Sequence, residues 1–510
     1  MSVLKRNILF LLVSQGATWL VTIFLLILGP RKLGSDGFGR AQFALAFVGF
    51  FNLIGSLGTY QYIVKHIARD PAELGRLVIS ALRLKMVMGV VLAALALGTG
   101  WLLGYDGEVL TLIAIGLVGM MLSLLNEMVL AGLAGLELIA GSAVWQTVQV
   151  YVGSILAIVV LLTTKSLYAY LACFSLALAV PLVANFLTLR PHLRHVARRS
   201  PVTWRVLIVG GIPMFALAAL SLLYSTIDIP IVEAVSGDEV VGWYTLAYRW
   251  VLMPIFINTI VATAFLPQMS ALAATAPERF CALTNRAIKM VMAITIPGAV
   301  GILLISSDLI DLLYGPAYEQ SVVLMQLLAP FVPLVALNTV LGTALVASDR
   351  HHRYIWVAAA AAVFNPPIAF LAIRLANDRY DGNGAIGAAI VTVLTEIFIT
   401  VCAMKMRRRG VFDRGTTWFC ARCLLAAGAM AAAVFLLRDG GLFVKVGVGA
   451  VVYGLATRGD ERDQRETTQI PDGNGECRVG SCERAGREPS AAHDLPIGSA
   501  VSAGPDTSVS

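Results

Sequence analysis

Asp228 and Arg249 lie at matching depths in two apolar segments joined by the short turn Ser236–Gly242. One charge precedes Glu239, near the centre of that turn, by eleven residues, and the other follows it by ten. In helices rising about 1.5 Å per residue, each falls roughly 9 Å inside its segment. An unpaired charge at the bilayer centre costs about 2.5–3.5 kcal/mol, so such residues face a partner or a polar cavity. An arginine there keeps its charge and can bind phosphate, while a carboxylate can carry a proton. The chemistry to which the two residues point is passage of a polar or charged cargo across a membrane. Asp228 would pair with Arg249 in one state and release it in another. The structural alternative is an ion pair that only holds two helices together.

Other polar residues also lie within apolar spans: Asn126 and Glu127 in the fourth, Gln146 and Gln149 in the fifth, Asn258 in the eighth, and Glu396 near the middle of the twelfth. Glu396 or Glu127 would carry the coupling proton, and Gln146 and Gln149 would offer polar contacts to a substrate. No Gly-rich phosphate loop, Ser/His/Asp arrangement or metal-ligand spacing is present, so no catalytic centre, cofactor or metal is expected. Cys420-x-x-Cys423 has no second pair beside it, and reads as apolar filler at a helix start. His351-His352, beside Asp349, Arg350 and Arg353, reads as a solvated turn.

The elements that position these residues are membrane helices. The chain has 510 residues, 58% hydrophobic and 14% charged, with a mean hydropathy of +0.80. Soluble domains carry about 25% charged residues. Apolar spans fall near 9–28, 41–63, 84–103, 109–133, 143–162, 167–187, 206–234, 243–266, 290–307, 322–347, 354–376, 384–404, 418–437 and 442–456, about fourteen in all. The first follows the basic Lys5 and Arg6 but is too long for a signal peptide and lacks a cleavage site, so it reads as a helix. The net charge of +7 sits in short connections and carries topology, not nucleic-acid binding. Basic clusters (Lys65 to Lys85, Arg190 to Arg205, Arg279 to Lys289, Lys405 to Arg414) alternate with acidic turns around Asp106, Asp238 and Asp308. By the positive-inside rule both termini are cytoplasmic. One connection disagrees: Arg31, Lys32 and Arg40 outnumber Asp36 on the outer side, where they would snorkel to headgroups or serve an anionic ligand.

The chain repeats itself. Gly34-Ser-Asp-Gly-Phe-Gly39-Arg-Ala-Gln-Phe-Ala44 aligns with Gly237-Asp-Glu-Val-Val-Gly242-Trp-Tyr-Thr-Leu-Ala247 at a shift of 203, and Leu125-Asn126 with Leu337-Asn338 at 212. Six spans separate the copies each time, so the halves are parallel repeats about an axis along the membrane normal. This divides the chain into a first lobe (1–187), a basic cytoplasmic linker (188–205), a second lobe (206–404), two added helices (405–456) and a polar tail (457–510). Eight prolines from Pro213 to Pro367 fall in or near spans of the second lobe, either because it is the lobe that bends or because proline is simply frequent in membrane helices. The tail is rich in Gly, Ser, Arg, Glu and Asp, a composition of disorder. It cuts the last span short, as a reading-frame change near Ala456 would.

Four stretches resemble the polysaccharide transporters, the Wzx-type flippases of the multidrug/oligosaccharidyl-lipid/polysaccharide (MOP) exporter superfamily. They are Leu33-Gly-Ser-Asp-Gly-Phe-Gly39, Ile227-Asp-Ile-Pro-Ile with Val241-Gly-Trp-Tyr-Thr-Leu-Ala-Tyr-Arg249, Leu313-Tyr-Gly-Pro-Ala-Tyr318 with Leu324 to Ala329, and Leu341-Gly-Thr-Ala-Leu-Val-Ala-Ser-Asp-Arg350. The resemblance, which runs from Met1 to about Gly454, implies an all-α polytopic membrane protein of MOP/MATE-like architecture with an inner cavity and alternating access. It implies an undecaprenyl-pyrophosphate-linked oligosaccharide as cargo, flipped across the bacterial inner membrane in O-antigen or exopolysaccharide synthesis. Membrane lipids, a polysaccharide polymerase and a chain-length regulator would be the partners. A cationic cavity would suit the pyrophosphate: Arg249 maps onto it, with Arg83 and Lys85 as additions. A drug/cation antiporter of the same superfamily and a lipid II flippase are the alternatives. The short outward loops disfavour a membrane polymerase or ligase.

Overall fold

A computed structural model describes residues 3–194, 202–348, 350–437 and 441–457. The expected disordered tail, Cys477 and Cys482, Asp349 and part of the basic linker lie outside the described residues. So do the side chains of Lys5, Arg6, His351, His352 and Arg353.

Among the described residues every regular element is a helix. α1 (Val3–Ser56) carries the first two apolar spans and is bent at Gly34. That glycine has φ 75° and ψ 172°, a region closed to L side chains. Leu57 and Gly58, at φ 49° and 62°, then interrupt the second pass before α2 (Thr59–Arg69). α3 (Leu74–Leu102), α4 (Gly107–Gly135) and α5 (Ala140–Thr163) follow. Asp106 caps α4, its carboxylate accepting the Val109 N–H at 2.8 Å. α6 (Leu167–Ala177) and α7 (Ala179–Arg194) make the sixth pass. The seventh is α8 (Trp204–Thr226) with α9 (Asp228–Ser236). The eighth is α10 (Asp238–Leu252) and α11 (Phe256–Thr275), joined by a 3-10 turn at Met253–Ile255. α12 (Pro277–Leu313), α13 (Gln320–Leu328) with α14 (Phe331–Ala347), α15 (His351–Arg379), α16 (Ala385–Met406), α17 (Arg414–Leu436) and α18 (Leu442–Thr457) bring the described residues to about fourteen helical passes.

Among the described residues ten helices are long and apolar enough to cross a membrane by length and composition. That count takes α1 once and includes neither the two passes carrying Asp228 and Arg249 nor the 16-residue α18. α18 is nonetheless held in the bundle. Lys445 Nζ donates to Asp308 at 2.6 Å, and the Tyr453 hydroxyl donates to the Ala293 carbonyl at 2.9 Å. In the second half, Pro230, Pro254 and Pro330 fall at or next to interruptions of the seventh, eighth and tenth passes. Pro297, Pro366 and Pro367 stay inside continuous helices.

A central apolar core joins α1 and α4 to α10, α13 and α16. Flanking cores form among α2, α3, α4 and α7, and among α11, α12, α14 and α17. Cys423 is buried in the latter and Cys420 packs against it, the apolar role expected of them. The turns at one end of the bundle carry Asp36, Asp106, Glu108, Asp238 and Glu239, and those at the other carry Lys405, Arg407, Arg408 and Arg409. They are called the acidic and basic ends below.

The interruption at Leu57 explains Lys85. The last turn of a helix leaves carbonyls without partners, and Lys85 on α3 caps the end of α1 by donating to Gly55 at 2.6 Å and to Ser56. Its ammonium is also 3.9 Å from Glu127, which accepts the Ser56 hydroxyl at 2.7 Å. Lys85 is 0% exposed, so in this conformation it is an internal cap and not a cationic surface open to cargo. Removing one partner of a buried charge pair costs about 3–5 kcal/mol. Lys85→Ala should therefore lower the melting temperature in detergent by several degrees; an unchanged melt would refute the capping role.

Candidate functional site

Arg249 is exposed, yet it stands within the bundle. Its open surface belongs to a cavity of about 460 Å³ walled by α1, α4, α5 and the sixth pass, into which Arg249 reaches from α10. Its Nη2 donates to Gln42 Oε1 at 2.7 Å, and its guanidinium lies 5.9 Å from the centre of the Phe38 ring. The hydrogen-bond partner is neutral, so the positive charge is not cancelled by a carboxylate there. Gln149, Ser123, Ser154 and Asn52 add polar atoms to the lining, and Asn52 Oδ1 is buried without a hydrogen-bond partner. A guanidinium with spare donors in a mostly apolar hollow has the chemistry to hold a phosphate group.

Asp228 is elsewhere. It is 6% exposed at the start of α9. Its Oδ2 accepts the Tyr244 hydroxyl at 3.1 Å and that of Thr392 on α16 at 3.1 Å. Thr392 also reaches the Ala388 carbonyl at 2.9 Å, so its one proton is shared. Oδ1 has no partner. Among the described residues no ion pair joins Asp228 to Arg249. The reason is angular. Tyr244 and Arg249 are five residues apart on α10, about 140° around the helix, so Tyr244 turns toward Asp228 and α16 while Arg249 turns toward α1. Equal depth in the sequence does not bring the two charges together in this state.

Of the other expected substrate contacts, Gln149 lines the cavity; Gln146 and Arg83 are exposed and outside its lining. Glu396 on α16 is 4% exposed and accepts the amide of Asn338 on α14. This contact has a twin in the first half: Asn185 on α7 donates to Asn126 on α4 at 3.0 Å. Asn126 matches Asn338 at a shift of 212 and Asn185 matches Glu396 at 211. The two halves thus share one interhelical polar contact, neutral in the first and acidic in the second.

The glycines of the other repeat meet each other. Gly34 and Gly237 have nearly the same backbone, φ 75° and 84°. A Cβ on Gly39 would stand 1.7 Å from the Asp238 carbonyl oxygen, and one on Gly242 would stand 2.2 Å from that of Ser35. Ser35 and Asp238 are themselves matched at the shift of 203, so the contact is reciprocal, as at a two-fold axis. Polar bonds surround it: the Ser35 hydroxyl donates to Glu239 at 2.9 Å, and Arg40 bridges Asp36 at 3.3 Å, Asp238 at 3.2 Å and Glu108. The Tyr318 hydroxyl donates to the Gly34 carbonyl at 2.9 Å, Tyr314 to that of Leu26 at 3.2 Å, and Tyr105 to Glu233 at 3.1 Å. The acidic end is therefore closed. Arg40, apparently surplus in its own turn, is neutralised by acids from other turns, while Arg31 and Lys32 are exposed at the helix flank.

The family of polysaccharide biosynthesis proteins matches residues 4–273, more than half of the chain. The chain belongs to that family. The MatE family also matches the chain, over residues 213–371. In sequence, no curated protein matches it. Among solved structures it is similar to "Lipid II flippase MurJ, inward closed conformation", at 14% identity and a TM-score of 0.67, over 88% of this chain and 99% of that one. It is also similar to an inward-facing multidrug resistance MATE family transporter of the MOP superfamily, at 17% identity and a TM-score of 0.60, over 76% and 94%. An outward-facing structure of that kind gives 0.50 at 19% identity, over 78% and 92%. This family member thus has the all-α architecture of MOP-superfamily membrane transporters.

Proposed function

We propose that this chain carries an undecaprenyl-pyrophosphate-linked oligosaccharide across the bacterial inner membrane by alternating access, for O-antigen or exopolysaccharide synthesis. The observation that carries the reading is Arg249, a cation bonded to a neutral side chain, which reaches from the second half into a cavity walled by helices of the first. Pockets of about 300–1,000 Å³ enclose a drug-sized ligand. The cavity is of the size for the diphosphate and the sugar beside it, with the isoprenoid tail outside. Lobes at 1–187 and 206–404 would rock against each other, with 188–205 as their cytoplasmic link and both termini cytoplasmic. The closed acidic end would then face outward, in keeping with the better fit to inward-facing relatives. The chain would act as a carrier and not as an enzyme, receiving cargo from the membrane and delivering it to a polymerase and chain-length regulator.

Asp228, with one carboxylate oxygen lacking a partner, would take the coupling cation, and Glu396 or Glu127 would be the alternative carriers. Asp228→Asn should leave cargo binding intact while abolishing the stimulation of flipping by an imposed proton or sodium gradient. Gradient-stimulated flipping at the wild-type rate would remove Asp228 from coupling.

The likeness to the MurJ structure supports lipid II as a second cargo, since that relative is named for it. A cationic drug is disfavoured by Arg249 at the cavity wall. Proteoliposomes loaded in turn with a fluorescent undecaprenyl-pyrophosphate oligosaccharide, lipid II and a cationic dye separate the three. Flipping of the first above the others is expected; export of the dye alone would overturn the proposal.

A further inference from the structure

A second cavity, about 800 Å³, opens at the basic end among the start of α12, Arg350 and the connection between α16 and α17. Four arginines line it (Arg350, Arg407, Arg408 and Arg409) against only Glu278 and Asp413. Asp413 is occupied, capping α17 by accepting the Thr416 N–H at 2.7 Å. No role in the transport cycle proposed above uses this pocket.

The pocket is built and not merely a cluster of surface charge. Asn285 on α12 clamps the connecting loop from both sides: its amide donates to the Gly410 carbonyl at 2.9 Å, and its Oδ1 accepts the Phe412 N–H at 2.6 Å. Gly410 and Phe412 take the positive φ values, 97° and 60°, that fold the loop back. Within it two guanidiniums are pinned by the backbone. Arg407 donates to the carbonyls of Val411, at 2.8 Å, and Met404. Arg408 donates to that of Ala273 at 2.8 Å, with its guanidinium 5.5 Å from the centre of the Phe280 ring. Each guanidinium has five N–H donors, so both are oriented with donors to spare. Arg350 and Arg409 are exposed at the rim.

The depth of the pocket is marked by tryptophan. Trp418, 64% exposed, stands five residues beyond Asp413 on α17, about 7.5 Å along the helix. Trp356, 76% exposed, lies near the start of α15. Exposed tryptophans collect at the level of lipid headgroups, and arginines in a preorganised fork match phosphate.

We propose that this pocket binds a phosphate group, the chemistry shared by the headgroup of an anionic phospholipid and by a free phosphorylated solute. Arg407 and Arg408 form its fixed floor and Arg350 and Arg409 its mobile-charge rim. The test uses the purified full-length protein and the double variant R350Q/R409Q, whose side chains support no part of the fold described above. R408Q serves as a second variant, with a thermal melt to confirm folding. Retention of phosphatidylglycerol is read by native mass spectrometry, and binding of radiolabelled inorganic pyrophosphate by equilibrium dialysis. Each guanidinium removed should weaken the bound probe about tenfold. Loss confined to phosphatidylglycerol assigns the site to a lipid, and loss confined to pyrophosphate assigns it to a soluble ligand. Equal binding by wild type and folded variants, or no binding of either probe to wild type, overturns the proposal.

Discussion

Arg249→Ala is expected to reduce flipping of the pyrophosphate-linked oligosaccharide about a hundredfold while leaving the amount of protein in the membrane unchanged. Charge-assisted hydrogen bonds contribute about 1.5–3 kcal/mol each, and two lost from one phosphate group, taken at the lower end of that range, amount to about a factor of a hundred. The fold should survive because Arg249 faces a hollow and its partner is the neutral Gln42, so its removal strands no buried carboxylate. Arg249→Lys keeps a charge and loses the planar fork, and an intermediate loss of about tenfold is expected if geometry matters as well as charge. The readouts are surface polysaccharide in cells and flipping in proteoliposomes. Wild-type rates for Arg249→Ala in both would exclude this residue from the cargo site.

The second large effect belongs to the glycine lock. With Gly39 replaced by alanine, the new Cβ would overlap the Asp238 carbonyl oxygen, which lies 1.7 Å from its position. Ordinary contact needs about 3.5 Å, so α1 and α10 would have to part by roughly 2 Å. Their partner bonds, Ser35 to Glu239 and Arg40 to Asp238, would be lost with that separation. Gly39→Ala should therefore hold the acidic end open and stop cycling. Cysteines placed at Ser35 and Glu239, joined by a short bifunctional reagent, report the gap: cross-linking should be efficient with Gly39 and nearly absent with alanine. Because the contact is reciprocal, Gly242→Ala should give the same phenotype. Undiminished cross-linking and flipping in both variants would show that the closure does not depend on these glycines.

The spans and their order were legible in hydropathy, because each pass must hide its backbone in hydrocarbon and does so with a long apolar run. The turn at Gly34 and its copy at Gly237 were also legible, since a residue forced to positive φ leaves a glycine in the sequence. What depended on azimuth was not. Asp228 and Arg249 share a depth, but which face of α10 meets α9 is decided by packing against α1 and α16. Lys85 looked like a cation awaiting an anion. Besides Glu127, its partners are main-chain carbonyls at a helix end produced by Leu57, a residue whose type gives no warning of a left-handed backbone. Arg40 looked surplus because a charge tally taken turn by turn cannot show that three turns converge. Gln42 stood inside the repeated stretch, but its counterpart in the second copy is Thr245, so the alignment did not single it out.

The lock at the acidic end is made by main chain against main chain. Such a joint places no demand on side-chain identity beyond the absence of a Cβ at two positions. Every other residue nearby can drift, one hydrogen bond exchanged for another, without altering how closely the two hairpins approach. A joint of this kind is compatible with a fold shared at only 14% identity, because its shape resides in backbone geometry and leaves the surrounding side chains free to vary.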